Sequence, residues 1–394
     1  MINMPKYSNL GKSYSYIRMA FFYAAIFTMI GIHLPFWPVW LEAQGLSTTE
    51  IGAIFASSVG IKVFSNPLIT HFADRQGSRR PIMITLAILS FVTFYLFGLT
   101  NGFWQIMLVT VFFFAVWAPL MPLGESLAML GDDFKKNKPY EETNYGIIRL
   151  WGSLTFIITA IGTGYILTGS SINTIYYILL TSLALVVAVT FFLPATKIPK
   201  ANDSHFTPIT VIKDRQFILF ITACALIQSS HSVYYGFGTL NWKSQGYSEI
   251  TIGWLWAEGV FAEIILFMFG ALLVKKIGPL KMIILGGFLG TIRWLMIGKI
   301  DGIVFIVILQ ALHAFTFGAT HLGAIYFINR KFPSHLSASA QGIYSTIVMG
   351  VSLGIVMFAS GKLYGVFGAK AYYAMALLAA GGTILALFLL TKRR

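Results

Sequence analysis

Long apolar segments dominate this sequence of 394 residues. A helix needs about 20 mostly apolar residues to cross the hydrocarbon core of a bilayer. With 57% apolar and only 11% charged residues, the chain is too apolar for an ordinary soluble domain. The sequence therefore predicts an all-α integral membrane protein with twelve transmembrane helices, at residues 19–40, 49–72, 82–99, 103–130, 144–167, 173–193, 217–240, 250–273, 281–298, 303–328, 339–365 and 371–391.

The basic residues are distributed unequally between the two sides of these predicted spans. Of the 28 Lys and Arg residues, 21 lie in the tails and loops of one side and three lie in the opposite loops. Cytoplasmic loops carry such an excess, so both termini are predicted to be cytoplasmic, in the cell (inner or plasma) membrane. Topology accounts for the net charge of +14, and no basic patch remains that would indicate nucleic-acid binding.

The sequence offers no constellation that is typical of an enzyme or a metal site. Cys224 is the single cysteine, so no internal disulfide can form. His231, His313 and His321 lie in predicted spans without a cysteine or carboxylate at ligand spacing, and a simple hydrogen-bonding role remains open for each. We expect no cofactor, no metal and no enzymatic activity, and we expect a monomer.

A polar, proline-containing segment separates two similar halves. Residues 195–216 are predicted to form a cytoplasmic linker between an N-terminal bundle, 1–194, and a C-terminal bundle, 217–394. The sequence from Gly45 to Gly52 returns in residue type from Gly246 to Gly253, at an offset of 201. Such repeats indicate a transporter in which two pseudo-symmetric six-helix bundles rock about a central site.

The loop between the second and third spans carries the first family resemblance. Its sequence, from Asp74 to Arg80, resembles the D-R-x-G-R-R loop of the major facilitator superfamily. Thr70 stands where that pattern opens with glycine, and a purely topological role for the basic loop is the alternative. The resemblance implies a conformational latch formed by Asp74, Arg75, Gly77, Arg79 and Arg80.

A closer resemblance covers nearly the whole chain. Three motifs, at 34–41, at 145–153 and at 234–248, resemble those of the bacterial 3-phenylpropionic acid transporter group, which is related more distantly to lactose permease. This resemblance implies the major facilitator fold and a small-molecule cargo.

Ionisable residues inside spans are costly and usually face a cavity or a partner. Glu258 and Glu263 are five residues apart, about 140° around one helix, so they cannot both face the same partner. Glu263 is nearer the midplane and is therefore assigned to the cavity. Lys62 and Glu263 differ by the repeat offset of 201, and we expect both to face the substrate path unless they are unrelated charges that pair locally. The seven intramembrane ionisable residues are Lys62, Glu125, Arg149, Glu258, Glu263, Arg293 and Lys362.

The resemblance also implies roles for several of these residues. Glu125 and Arg149 match positions where the lactose permease relatives bind substrate, and Pro119 and Pro122 should bend the span beside Glu125. Arg293 and His313 resemble the proton-coupling residues of the relatives. Those relatives have a glutamate three residues after the histidine, whereas this chain has Thr316. Glu263 is therefore the candidate proton carrier.

Two aromatic residues complete the predicted site. Trp151 and Tyr234 could supply a cavity wall for an aromatic cargo, although an interfacial or lipid-facing position is the favoured explanation for such residues. Together with the buried charges, the resemblance implies a proton-coupled importer of a small aromatic carboxylate such as 3-phenylpropionate. A sugar or nucleoside symporter and an efflux carrier remain alternatives.

Overall fold

The computed structural model describes residues 8–133, 143–195 and 213–392. Every regular element within these ranges is helical. The first part contains α1 (Ser8–Ala43), α2 (Thr48–Gln76), α3 (Arg80–Tyr95) with a 3₁₀ turn (Leu96–Leu99), α4 (Phe103–Trp117), α5 (Leu120–Asp133), α6 (Thr143–Leu167) and α7 (Thr174–Thr190).

The second part begins after the linker, most of which lies outside the described residues. It contains α8 (Arg215–Ser229), α9 (Ser232–Ser244), α10 (Glu249–Met268), α11 (Gly270–Ile277), α12 (Pro279–Ile297) and α13 (Ile303–Ala311). It continues with a π-helical segment (Ala314–Ala319), α14 (Thr320–Lys331), α15 (Ser334–Tyr344), a second π-helical segment (Ser345–Ser352), α16 (Leu353–Phe367), a 3₁₀ turn (Gly368–Ala371) and α17 (Tyr372–Thr391).

Ten helical stretches of the described chain are long and apolar enough to cross a membrane. One of them, Ser339–Thr391, has 53 residues and contains the turn at Gly368, whose φ is +55°. Thr174–Thr190 is a shorter apolar helix. Large apolar side chains such as Trp104, 78% exposed, and Leu377, 75% exposed, cover the outside. The protein is therefore a multi-pass membrane protein, and the count of twelve spans stays a prediction.

The sequence repeat corresponds to a repeated helix start. Ser47 and Ser248 cap α2 and α10 with nearly identical backbone angles, φ −67° and ψ 159° against φ −69° and ψ 158°. In both places a glycine with positive φ ends the preceding turn, Gly45 at +81° and Gly246 at +83°. The spacing of Gly and Ser is the same in both copies of the repeat, and it produces the same local backbone geometry in both places.

Close helix contacts join the two halves of the sequence at the end of the molecule where α2 and α10 begin. The helix α2 packs along α16, and α10 packs along α6. A Cβ atom on Gly52 would lie 2.8 Å from the Cα of Gly361, and one on Gly253 would lie 2.5 Å from the carbonyl oxygen of Ala160. These glycines allow backbone to meet backbone, so this end of the molecule is closed.

Two breaks in the helices lie near candidate site residues. Helix α4 ends at Trp117 and α5 begins at Leu120, as expected from Pro119. Between α13 and α14, the π-helical segment follows His313 directly. Such π-helical turns occur often at functional sites, because they change the direction of the side chains that follow.

Candidate functional site

A fully buried arginine organises a polar cluster between α9, α12 and α13. The Nη1 of Arg293 donates to Nδ1 of His313 at 3.2 Å and to Oγ1 of Thr316 at 3.1 Å. Its Nη2 donates to Oε1 of Gln310 at 2.7 Å. The guanidinium also lies 4.8 Å from the ring centre of Tyr234. Because these donors are already occupied and the side chain is 0% exposed, Arg293 is not accessible to a cargo molecule in this conformation.

The histidines extend this cluster. His231 contacts Oγ1 of Thr316 through Nε2 at 3.0 Å. The rings of His313 and Phe317 stack with centres 5.5 Å apart, and Phe317 stacks in turn on His321 at 6.0 Å. An aromatic column therefore runs along the π-helical segment, from the buried Arg293 cluster toward α14. The sequence analysis did not single it out, although residues 313, 317 and 321 recur at a spacing of four, which places side chains on one helix face.

Glu263 lies against the π-helical segment. It is a close neighbour of Gly318, since a Cβ atom at Gly318 would lie 3.4 Å from Cγ of Glu263, at ordinary contact distance. Arg149 is the charged group that acts on Glu263 electrostatically, whereas Arg293 acts on Glu258. The two glutamates are thus each influenced by a different arginine.

Arg149 lies on α6, which packs along both α1 and α10. Its guanidinium carbon lies 4.4 Å from the ring centre of Phe27, and its Nη1 is buried without a hydrogen-bond partner in the part of the chain that the structure describes. Within the described residues it forms no ion pair shorter than 4.0 Å, and neither does Glu263. A half-buried cation and a half-buried anion therefore lie near each other without direct contact.

Lys62 lies fourteen residues into α2, the same depth as Glu263 in α10, or about 21 Å by helix rise. Its Nζ lies 4.8 Å from the ring centre of Phe114. His33 of α1 contacts the same ring edge-on at 5.6 Å. His33 was missed in the sequence, although a histidine within an apolar span is a signal that could have found it.

The remaining predicted site residues have different environments. Trp151 is 48% exposed and donates from Nε1 to the hydroxyl of Tyr16 at 3.3 Å. Tyr234 is 1% exposed and accepts from Nε2 of Gln310 at 2.9 Å, so it belongs to the Arg293 cluster. Glu125 is half-buried on α5. Lys362 is exposed, and its Nζ lies 4.9 Å from the ring centre of Phe358.

The predicted latch forms a compact set of contacts at the end of α2. Asp74 and Arg79 form an ion pair of 2.8 Å, and Arg79 also donates to Ser126 of α5. Gly77 ends α2 with φ +68°, a conformation that favours glycine.

Arg80 extends these contacts by donating to the carbonyl of Phe191. Arg75 is exposed and makes no such contact with another of the described residues. The contacts between helices at this loop therefore depend on Asp74, Arg79 and Arg80.

The fold and the polar interior together define a membrane transporter for small molecules. The chain belongs to the MFS_1 like family, whose model matches residues 16–375. The probable 3-phenylpropionic acid transporter of Escherichia coli (strain K12) is 31% identical over 374 residues, which cover 92% of this chain and 94% of that protein.

Other relatives are transporters as well, and none of these proteins is an enzyme. The maltose permease of Geobacillus stearothermophilus is 25% identical over 388 residues, covering 94% of this chain and 93% of that protein. The crystal structure of the nucleoside transporter NupG superimposes with a TM-score of 0.81 at 17% identity, covering 95% of this chain and 98% of that one. The likeness to NupG, at 17% identity, concerns the fold alone.

Proposed function

We propose that this protein is a proton-coupled symporter that imports a small aromatic carboxylate, such as 3-phenylpropionate, by alternating access. The proposal includes twelve spans in two six-helix bundles, with both termini in the cytoplasm. The 53-residue stretch Ser339–Thr391 is long enough for two passes around the turn at Gly368, and Thr174–Thr190 is apolar enough for another. The resemblance to the phenylpropionate transporter supports the choice of cargo.

The placement of Arg149 relative to Glu263 carries the proposal. These opposite charges lie on α6 and α10, one from each half of the sequence, and they interact electrostatically without an ion pair. A carboxylate that binds the unpartnered Nη1 of Arg149 shields that cation from Glu263. The carboxyl group of Glu263 then takes up a proton more readily, so cargo and proton bind cooperatively.

The charges of Arg149 and Glu263 are both neutralised when cargo and proton are bound. Arg149 is paired with the cargo and Glu263 carries the proton, so the chamber can close around them without a buried net charge. Arg293 does not compete for the carboxylate, because His313, Thr316 and Gln310 already accept from it. Its cluster instead holds α9, α12 and α13 in a fixed arrangement behind the site.

A sugar or nucleoside symporter is the second candidate, because the maltose permease and the nucleoside transporter are relatives in sequence or in fold. The two functions differ in charge movement. A monoanion carried with one proton moves no net charge, whereas a neutral cargo with one proton moves one positive charge, worth about 2.3 kcal/mol per 100 mV. A substrate-evoked current in proteoliposomes would therefore favour the neutral cargo.

The direct test uses Glu263→Gln in proteoliposomes with labelled 3-phenylpropionate. We expect an imposed pH gradient, acidic outside, to drive accumulation by the native protein, and we expect the variant to lose accumulation while it still exchanges labelled for unlabelled cargo. Glu249→Gln is the matched control, because Glu249 begins the same helix and pairs with Lys243 at 3.4 Å. Accumulation by Glu263→Gln at the native rate would exclude this mechanism.

A further inference from the structure

Two polar side chains from different helices converge on one aromatic ring without a polar partner. The Nζ of Lys62 lies 4.8 Å from the centre of the Phe114 ring, and the His33 ring contacts the same ring edge-on at 5.6 Å. Both side chains are half-buried. Among the described residues, neither Lys62 nor His33 has a hydrogen bond or an ion pair. This cluster of Lys62, His33 and Phe114 is termed the distal cluster.

The distal cluster is poised to bind an oxygen atom. The Phe114 ring offsets part of the cost of the lysine charge through a cation–π interaction. The lysine still carries three N–H donors, and a neutral imidazole carries one more. His33 also stacks on Trp37 with ring centres 5.5 Å apart, so its ring is held in place. A carboxylate or hydroxyl oxygen of a ligand can accept from both side chains at once.

Arg149 and the distal cluster both adjoin α1, at different depths. Arg149 lies over Phe27 of α1, and His33 is six residues farther along the same helix, about 9 Å by helix rise. Gly31 packs against Phe156 of α6, so α1 and α6 run side by side through this region. Six residues also leave the two positions about 120° apart around α1, so the two groups differ in direction as well as in depth. The axial part of their separation is comparable with the length of an arylpropionate from its carboxylate to the far edge of its ring.

We propose that the distal cluster is a second polar subsite, which binds an oxygen substituent on the far edge of an aromatic ring whose carboxylate lies at Arg149. The preferred cargo is then an aromatic acid with a hydroxyl or a second carboxylate at the para position. The inference rests on the proposed function, because it assigns the cargo carboxylate to Arg149. It adds a specificity-determining residue, His33, and narrows the substrate class.

Binding constants measured on the detergent-purified full chain test this assignment. The probes are 3-phenylpropionate, its para-hydroxy analogue and its para-carboxy analogue. We expect the native protein to bind at least one para-substituted acid about tenfold more tightly than the parent acid, as loss of one hydrogen bond to a charged group would predict. The two analogues distinguish a hydroxyl from a carboxylate as the recognised group.

Three variants separate recognition from folding. Lys62→Met and His33→Phe should each reduce the preference for the para-substituted acid at least several-fold, and His33→Phe retains the stacking on Trp37. Arg149→Gln should weaken all three acids and keep the preference. Lys362→Met is the matched control, because Lys362 lies 4.9 Å from the ring centre of Phe358 but is exposed, and all binding constants should remain native.

Each of the following results of the binding measurements would overturn the proposed subsite. Tight binding of the parent acid with no preference for either analogue overturns the distal subsite and leaves the proposed function standing. If Lys62→Met weakens the binding of all three acids equally and Arg149→Gln removes the preference, the cargo carboxylate lies at Lys62 and the para substituent at Arg149. That result overturns the assignment. If the native protein binds none of the three acids, both the subsite and the aromatic-acid function are wrong.

Discussion

Arg293 donates to Nδ1 of His313 at 3.2 Å, in an environment where neither side chain reaches solvent freely. A guanidinium can only donate, so Nδ1 accepts and His313 carries its proton on Nε2. The same guanidinium also satisfies Gln310 and Thr316, which makes it the centre of the polar cluster between α9, α12 and α13. Its forked geometry matters as much as its charge.

Replacing Arg293 with lysine should therefore destabilise the fold. Lysine keeps the charge but cannot reach Gln310, His313 and Thr316 in one plane, so at least one buried acceptor loses its donor, at about 1–3 kcal/mol. We expect Arg293→Lys to unfold at a lower temperature in detergent. Arg75→Lys, at an exposed arginine, is the control and should unfold at the native temperature. An unchanged midpoint for Arg293→Lys would mean that the cluster contributes little.

A valine at Gly164 should prevent closure of the end where α6 meets α10. A Cβ atom at Gly164 would lie 2.5 Å from the carbonyl oxygen of Glu249, a backbone atom that cannot move alone. Overpacking of this kind costs about 1–3 kcal/mol, and here it acts only on the closed conformation. We expect proteoliposome uptake to fall at least several-fold.

Gly162 provides the matched control for that substitution. It lies on the same helix two residues earlier, and a Cβ atom there would meet nothing within 4 Å. Gly162→Val carries the same helix-propensity cost as Gly164→Val and should retain most of the uptake. Equal loss in both variants would show that valine disturbs the helix rather than the contact between helices.

Neutralising Asp74 should slow the transport cycle. Asp74 pairs with Arg79 at 2.8 Å, and Arg79 connects the end of α2 to Ser126 of α5. Asp74→Asn leaves a nearly buried guanidinium with a weaker partner, which destabilises the conformation that this loop holds together. We expect the maximal uptake rate to fall several-fold in proteoliposomes. Arg75→Gln, in the same loop but exposed, should transport at the native rate; if both variants behave alike, the ion pair is not the latch.

The stability of the protein should depend on acid pH through Asp214, which precedes α8. Burial favours the protonated carboxyl, but hydrogen bonds from Lys331 and from the backbone N–H of Phe217 outweigh it and lower the pKa of Asp214. The pair with Lys331 is 2.9 Å long. A lowered pKa stabilises the fold above the carboxyl pKa of the unfolded chain, and this stabilisation disappears as the pH falls through the lowered value.

The direction of this pH dependence can be checked by measuring the thermal unfolding of Asp214→Asn at a series of acid pH values. The variant should be less stable than the native protein at neutral pH, and the difference should shrink as the pH falls. Asparagine still caps α8, so the loss reports the charge rather than the cap. Asp301→Asn, at a carboxylate that accepts from Gln245 at 3.0 Å, serves as the comparison without a buried lysine partner. If the stability of Asp214→Asn differed from that of the native protein by the same amount at every pH, the lowered pKa of Asp214 would be contradicted.

The helical membrane architecture and the positions of most helices could be predicted from the sequence, because apolar length alone decides which segments can lie in a bilayer. The repeat from Gly45 to Gly52 and from Gly246 to Gly253 predicted matching helix starts, since Ser caps and positive-φ glycines act through their nearest neighbours in the chain. Pro119 likewise predicted the break between α4 and α5. The angular separation of Glu258 and Glu263 followed from helix geometry.

The partners of the intramembrane charges could not be predicted. Ionisable residues inside spans were expected to face a cavity or a partner, yet Lys62 lies on a phenylalanine ring, Arg149 on another, and Arg293 is bound by neutral side chains. Spacing along one helix fixes depth and angle, but contacts between helices depend on how distant segments pack and where π-helical turns rotate them. The sequence by itself determined a multi-pass membrane protein with repeated helix starts. Only the tertiary structure decided that His33 joins Lys62 and that Glu263 lies near Arg149, because those contacts arise between helices far apart in the chain.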